Sequence, residues 1–163
     1  MKAIRWSELS LAATVFCYSL NFGPMFFESW TSDRIWASHP PDSFYMFLGP
    51  YGQQTAHYWR LVSPPATATF VLSLIANWQS RLRKHWLLAA FALYVVVQAS
   101  TMVYFVPEQE RLVANAGSLA REVLQLRASR WIALNHFRNV AAVAAFLLLL
   151  WAVLQTRTPT GRS

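Results

Sequence analysis

Charge, sulfur and glycine are all scarce in this chain. Charged residues make up 13% of its 163 positions, about half the roughly 25% usual in soluble domains. The shortage does not signal disorder, because 55% of the residues are hydrophobic and the mean hydropathy is +0.27, whereas disordered chains are poor in apolar residues. Cys17 is the single cysteine, which excludes an internal disulfide framework and a CxxC redox pair. The five glycines are scattered, and none opens a phosphate-cradling loop or a flexible linker to a second domain. No nucleophile elbow or Ser/His/Asp constellation is present either. Acids are the rarer sign, seven against 14 Lys and Arg, for a net charge of +7. That surplus would suit nucleic acid if it formed a patch. Instead the bases sit beside apolar blocks, the pattern of membrane topology. The composition therefore predicts one integral membrane domain and argues against nucleic-acid binding.

Four apolar blocks are long enough to cross about 30 Å of hydrocarbon, which takes roughly 20 helical residues. They cover residues 9–27, 61–78, 86–106 and 131–154, so the expected fold is an all-α, four-helix transmembrane bundle. Pro64 and Pro65 fall in the first turn of the second block, where early N–H groups lack intrahelical partners in any case. Lys2 and Arg5 precede the first block as in a signal peptide, but no small-x-small cleavage site follows, and a retained helix is expected.

Residues 79–85 link the second and third blocks and carry Arg81, Arg83 and Lys84 without an acid. The positive-inside rule puts this loop in the cytoplasm. Lys2, Arg5, Arg157 and Arg162 then share its side, whereas Glu28, Asp33, Asp42, Glu108, Glu110 and Glu122 lie opposite. The expected topology is N-in/C-in and multi-pass, in the plasma membrane (the inner membrane, in a bacterium). Both outer connections have character. Residues 29–58 include Trp30, Trp36, Phe44, Tyr45, Phe47 and Tyr51, which suits a segment at headgroup depth or a cover over the bundle mouth. Asp42 or Ser43 is placed to cap a short helix after Pro40-Pro41. Residues 107–130 set Leu112, Leu119, Val123 and Leu126 against Arg111, Arg121, Glu122 and Arg127, an amphipathic helix extending the third block or lying on the surface.

Ionisable groups inside a span are costly and are candidates for function by default. Glu28, His57, Glu108 and the cluster Asn135-His136-Arg138 all fall at the outer end of their helices. The faces also agree. Tyr18, Asn21, Met25 and Glu28 form a stripe on the first helix, and Tyr94, Gln98, Thr101, Phe105 and Glu108 form one on the third. His57, Arg60, Pro64 and Thr67 share a side of the second. Asn135, His136, Arg138 and Asn139 span an arc of about 160° on the fourth, at 100° per residue. Turned inward, these stripes predict a polar pocket opening outward, with Tyr18, Asn21 and Gln98 as candidate substrate-binding residues.

Two chemistries fit such a pocket. Glu28, His57, Glu108 and His136 could ligate a transition metal, iron or copper, as inward carboxylates and imidazoles do in bundles. Alternatively, His57 or His136 could act as a base on an acidic lipophilic substrate, with Arg138 and Asn135 holding the resulting anion. The bland alternative is that Arg138 simply pairs with Glu28 or Glu108, and that the histidines are interfacial. His39 and His85 share no stripe with other polar residues, so bis-histidine haem is not supported.

The segment Thr101-Met102-Val103-Tyr104-Phe105-Val106-Pro107, followed by Arg111-Leu112, resembles the third-helix end of the anthrone oxygenase-like family. Trp131 to Asn139 is similar to that family's W-x3-N-x2-R start of the fourth helix. The resemblance implies a small four-helix membrane protein that oxidises an anthrone to an anthraquinone with molecular oxygen, without recognised flavin or haem. It carries over Trp131 as a substrate-binding position, Asn135 and Arg138 as site residues, and Pro107 as a helix-end marker. The expected function is thus a membrane oxygenase acting on a lipophilic, aromatic small molecule. The rival is an accessory subunit that meets a membrane partner, or a second copy, through the small-residue face of Ala141, Ala142, Ala144 and Ala145.

Overall fold

The computed structural model describes residues 5–155; Lys2, Arg157 and Arg162, used above for topology, lie outside them. Within these residues the chain is helical, with no strand. Helix α1 runs Trp6–Trp30, α2 Ser32–Trp36, α3 Tyr45–Leu48, α4 Pro50–Ala76, α5 Arg81–Ser100, α6 Val106–Ala114 and α7 Arg121–Leu154. A 3-10 turn, Asp42–Phe44, precedes α3, and a π-helical turn, Thr101–Phe105, joins α5 to α6. Three helical stretches, Trp6–Trp36, Arg81–Ala114 and Arg121–Leu154, are long and apolar enough to cross a membrane. Helix α4 has the length, at 27 residues, but Arg60, the two prolines and its hydroxyl side chains dilute its apolar character.

Helix extends beyond each predicted block at one end or both, although α4 stops at Ala76, short of its predicted end at Trp78. The apolar runs mark only the lipid-facing part, and the ends are continued by residues that pack on other protein segments. Helix α4 starts at Pro50, whose ring suits a helix start, 11 positions before the predicted one. Just inside that start, a Cβ on Gly52 would lie 2.7 Å from the Phe47 carbonyl oxygen, so only glycine fits where the chain folds from α3 into α4. Asp42 and Ser43 do not act as side-chain caps; the Ser43 hydroxyl instead donates to the Trp36 carbonyl. Pro107 is not a helix end, since it sits at the start of α6 on a path that continues from α5. Its ring would crowd the carbonyl four residues back, and a local π turn is one way a membrane helix absorbs that conflict.

Helices α1 and α4 run side by side along their lengths, joined by small polar groups. Asn77 Nδ2 reaches the Ser7 carbonyl at 3.4 Å. The Thr14 hydroxyl meets the Thr69 carbonyl at 2.8 Å and the Ser73 hydroxyl at 2.7 Å. Asn21 Nδ2 donates to the Val62 carbonyl at 2.9 Å. Pro24 leaves the Leu20 carbonyl without its usual i+4 donor, and the Tyr58 hydroxyl donates to that oxygen at 2.6 Å.

Two apolar clusters divide the interior. One gathers Leu11, Tyr18, Phe70, Leu87, Tyr94 and Leu149 from α1, α4, α5 and α7. The other gathers Trp36, Phe44, Phe105, Leu112, Leu124 and Trp131, where the short α2–α3 segment covers the extended ends of α6 and α7. Ala142 and Ala145 are buried in the chain's own core, so half of the small-residue face is used internally. At the end where α4 meets α5, Arg83 is buried. It is bound to Glu8 at 2.7 Å, to the Gln155 carbonyl at 2.7 Å and to Asn77 at 3.5 Å.

Candidate functional site

At the Glu28 end of α1 lies a cavity of ≈ 180 Å³. Its ionisable lining is Glu28, Asp33 and Arg138, and its walls are aromatic: Trp36, Phe47, Trp59, Phe105 and Trp131. Drug-sized ligands usually occupy roughly 300–1,000 Å³, so this space suits a compact ligand without long substituents.

Trp131 fixes one wall. Its indole N–H donates to the Phe105 carbonyl at 3.0 Å, and its ring stands edge-on to Trp36 at 5.0 Å and to Phe105 at 5.2 Å. The π turn matters here, because it presents both Thr101 and Phe105 to Arg138. The Arg138 guanidinium donates to the Thr101 hydroxyl at 3.2 Å and lies over the Phe105 ring at 4.3 Å. Its Nε is buried with no hydrogen-bond partner. No carboxylate among the described residues comes within ion-pair distance of it, so the alternative in which Arg138 simply pairs with Glu28 or Glu108 is not what the structure shows. Glu108 pairs instead with Arg127 through two bonds of 2.8 and 2.7 Å.

The two carboxylates on the cavity differ in how they are held. Asp33 accepts from the Trp36 indole at 3.2 Å and from Asn135 Nδ2 at 2.7 Å. Asn135 also donates to the Ser29 hydroxyl at 3.1 Å, and Asn139 donates to the same hydroxyl at 2.7 Å. Asp33 is therefore a fixed acceptor. Glu28 has looser surroundings: Asp33, Arg138 and the Trp59 indole are its electrostatic neighbours.

Of the residues expected from the sequence, Glu28, Trp131 and Arg138 line the cavity, and Asn135 supports it from behind through Asp33. Tyr18 and Asn21 are buried but serve the packing of helices: the Tyr18 hydroxyl donates to the Ala142 carbonyl at 3.1 Å, and Asn21 holds α4. Gln98 is half-buried and outside the cavity lining. His57 and His136 are both exposed and outside it as well. On α4 the predicted stripe does not reach the cavity: Arg60 and Pro64 are exposed with His57, and Thr67, also exposed, turns its hydroxyl to Tyr94 on α5 at 2.7 Å, while Ala66, Phe70, Ser73 and Asn77 form the buried side. The proposed metal set of Glu28, His57, Glu108 and His136 is not brought together. Among the described residues no three His, Cys, Asp or Glu side chains converge in a way that could hold a metal ion, so the donors present do not fit such a centre.

Asp33 and Trp36, which the sequence puts in the outer connection, and Trp59, which no sequence pattern singles out, are site residues. The spacing of Asp33 and Trp36, one helical turn apart, and of Glu28 and Asp33 on a helix that continues past Phe27 is the signal that could have found them.

Comparison with known proteins gives one result. No curated protein and no solved structure matches the chain, whereas the anthrone oxygenase family profile matches residues 54–148. That stretch carries Trp59, Thr101, Phe105, Trp131 and Arg138 of the cavity, and leaves Glu28, Asp33 and Trp36 to the part before it. Because it covers more than half of the chain, the protein belongs to the anthrone oxygenase family.

Proposed function

We propose that the cavity binds a compact, lipophilic aromatic ketone of the anthrone class and oxidises its activated methylene with molecular oxygen. Family membership supports an oxygenase-like function; the assignment of substrate and residues is our reading of the geometry. The observation that carries it is Arg138: a half-buried guanidinium, its Nε fully buried, with no ion-pair partner among the described residues, on an aromatic-walled cavity that also carries two carboxylates.

In this reading the carbonyl oxygen of the substrate faces Arg138 and the methylene faces Glu28. Glu28 takes a proton from the methylene, and the electron pair left behind spreads through the ring onto the carbonyl oxygen as an enolate. Preorganised donors aimed at developing negative charge are worth most in a dry site, and Arg138 is such a donor. The enolate carbon then bonds to O2 and gives a hydroperoxide once protonated. Loss of water from that species leaves the new carbonyl. The balance is CH2 + O2 → C=O + H2O, with no further reductant. Asp33 is a positioning residue that fixes the field around Arg138 and Glu28. The proton-taking role expected of a histidine passes to Glu28 because both candidate imidazoles are exposed and off the cavity.

We also read α4 as a fourth crossing helix, because its bonds to α1 extend from Val62–Asn21 to Asn77–Ser7 and so span the same depth. The N-in/C-in orientation in the plasma membrane then places the cavity at the outer face. Reporter fusions at Ser80 and Gly117 should report opposite sides.

The test is turnover of anthrone by protein in lipid nanodiscs, following anthraquinone absorbance and O2 uptake together. One O2 consumed per quinone formed is expected, with kcat lowered about 10²–10³-fold in Arg138→Met and strongly in Glu28→Gln. Wild-type protein no faster than the uncatalysed background would sink the reading.

A further inference from the structure

We propose that the cavity is reached sideways from the bilayer, through a groove between α5 and α7 whose common wall with the cavity is Arg138 and Phe105. The occupant of the groove is the lipophilic aromatic substrate itself, so the proposal rests on the reading of the cavity as a substrate site.

The groove has a volume of ≈ 330 Å³ and is lined chiefly by Val96, Val97, Leu134, Phe137 and Ala141, besides the two shared residues. It lies on stretches apolar enough to sit in a membrane. Its rim faces outward, with Val96 58% and Phe137 74% exposed, and in a bilayer such surface meets acyl chains. A molecule that partitions into lipid is concentrated there and meets this groove before any aqueous opening. The opposite end of the cavity differs. There Phe47, Gly52 and Gln109 are shared with a depression that also carries Glu110, and this is a water-facing mouth.

The wall between groove and cavity is built to move. Phe105 is held at its backbone, where its carbonyl accepts from Trp131, but the Arg138 side chain is tethered by one hydrogen bond, to the Thr101 hydroxyl, and otherwise by stacking over the Phe105 ring at 4.3 Å and, more loosely, the Trp131 ring at 5.8 Å. Its Nε binds nothing. A long side chain with so few bonds can swing while the backbone around it stays fixed. The π turn supplies the hydrogen bond and the closer ring contact from one wide helical turn, and π turns inside helices occur frequently at functional sites. A ligand passing the wall would bring its oxygen past the guanidinium that then holds it.

Access can be measured without knowing the substrate. In full-length protein carrying Cys17→Ser, Met25→Cys places a thiol on the cavity wall. The protein is reconstituted in phosphatidylcholine vesicles and labelled either with bilayer-partitioned N-cyclohexylmaleimide or with a membrane-impermeant cationic methanethiosulfonate. Filling the groove by Ala141→Phe, or by Val96→Phe if the first variant fails to fold, should slow the maleimide at least ten-fold and leave the cationic reagent unchanged. Val113→Phe at the water-facing mouth should do the reverse. Equal maleimide rates with and without the groove substitution, or slowing by Val113→Phe alone, would overturn the lateral route. So would a cavity thiol that no reagent labels. Absence of anthrone turnover alongside groove-dependent labelling would count against the oxygenase reading and leave the route standing.

Discussion

Asn135 offers the sharpest test of how the site is held. Its side chain is 1% exposed. Nδ2 gives Asp33 a bond of 2.7 Å and Ser29 one of 3.1 Å, while Oδ1 is buried with no partner. Replacing it by leucine removes a charge-assisted hydrogen bond, worth about 1.5–3 kcal/mol, and a neutral one worth about 1 kcal/mol. It also removes the orphaned oxygen, whose burial costs about 1–3 kcal/mol. The terms partly offset, and the net loss expected is about 1 kcal/mol, with about 3 kcal/mol as the ceiling. Alanine removes the same groups and leaves a void, adding about 2 kcal/mol or more. At about 2–4 °C per kcal/mol for a chain of this size, Asn135→Leu should melt a few degrees below wild type and Asn135→Ala clearly lower still. Thermal unfolding in one detergent, followed by near-UV circular dichroism, reads both. If leucine is as damaging as alanine, Oδ1 has a partner, the pocket behind Asp33 is wet, and the argument for a dry, rigid Asp33 fails. Turnover sharpens the comparison: Asn135→Leu should lower kcat more than its small stability loss suggests, because Asp33 loses its shorter donor.

Other outcomes follow from the same contacts. Glu8→Ala strands the Arg83 guanidinium, whose side chain is only 3% exposed; discounted for the half-exposed carboxylate, the expected loss is about 2 kcal/mol. Converting both residues to leucine should recover part of it by thermal unfolding. The Glu108–Arg127 pair is only partly exposed and doubly bonded, and a double-mutant cycle should give about 1 kcal/mol of coupling, falling with added salt. His57→Ala and His136→Ala alter exposed side chains and should each stay within about 0.5 kcal/mol of wild-type stability while keeping turnover; a large loss of turnover in either would return the base role to an imidazole.

What could be read from the sequence was what lipid imposes. Continuous apolar runs mark the three helices that are long and apolar enough to cross a membrane, and the centre of α4, because hydrocarbon selects for such runs. Depth was also legible, since Glu28, Arg138 and Asn135 do meet near one level. Facing was harder. On α7 the buried row is Ala128, Trp131, Asn135, Asn139, Ala142 and Ala145, and His136, one residue from Asn135, is turned 100° away. An arc of about 160° was too wide to count as one face. On α4 the polar side was taken for the inner one. The interior of α1 and α4 is joined by threonine, serine and asparagine, whose hydrogen bonds replace the apolar stripe on which face assignment relies. The π turn left no periodic trace, yet it brings Thr101 and Phe105 together on Arg138.

The Arg83 cluster bears on how the chain assembles. Read as a loop charge, Arg83 marks which side of the membrane its loop stays on. In the folded protein it is a clasp, joining the first turn of α1, the end of α4 and the last turn of α7 across separations of 75, 6 and 72 residues. Two of these partners are made early in synthesis. The third, the Gln155 carbonyl, emerges only after the final helix. The bundle therefore cannot lock at this end until α7 has been threaded and docked, and until then the α1–α4–α5 unit holds an incompletely bonded cation. Such an intermediate holds a buried cation short of one acceptor, and the order of synthesis puts closure of the clasp after the docking of α7.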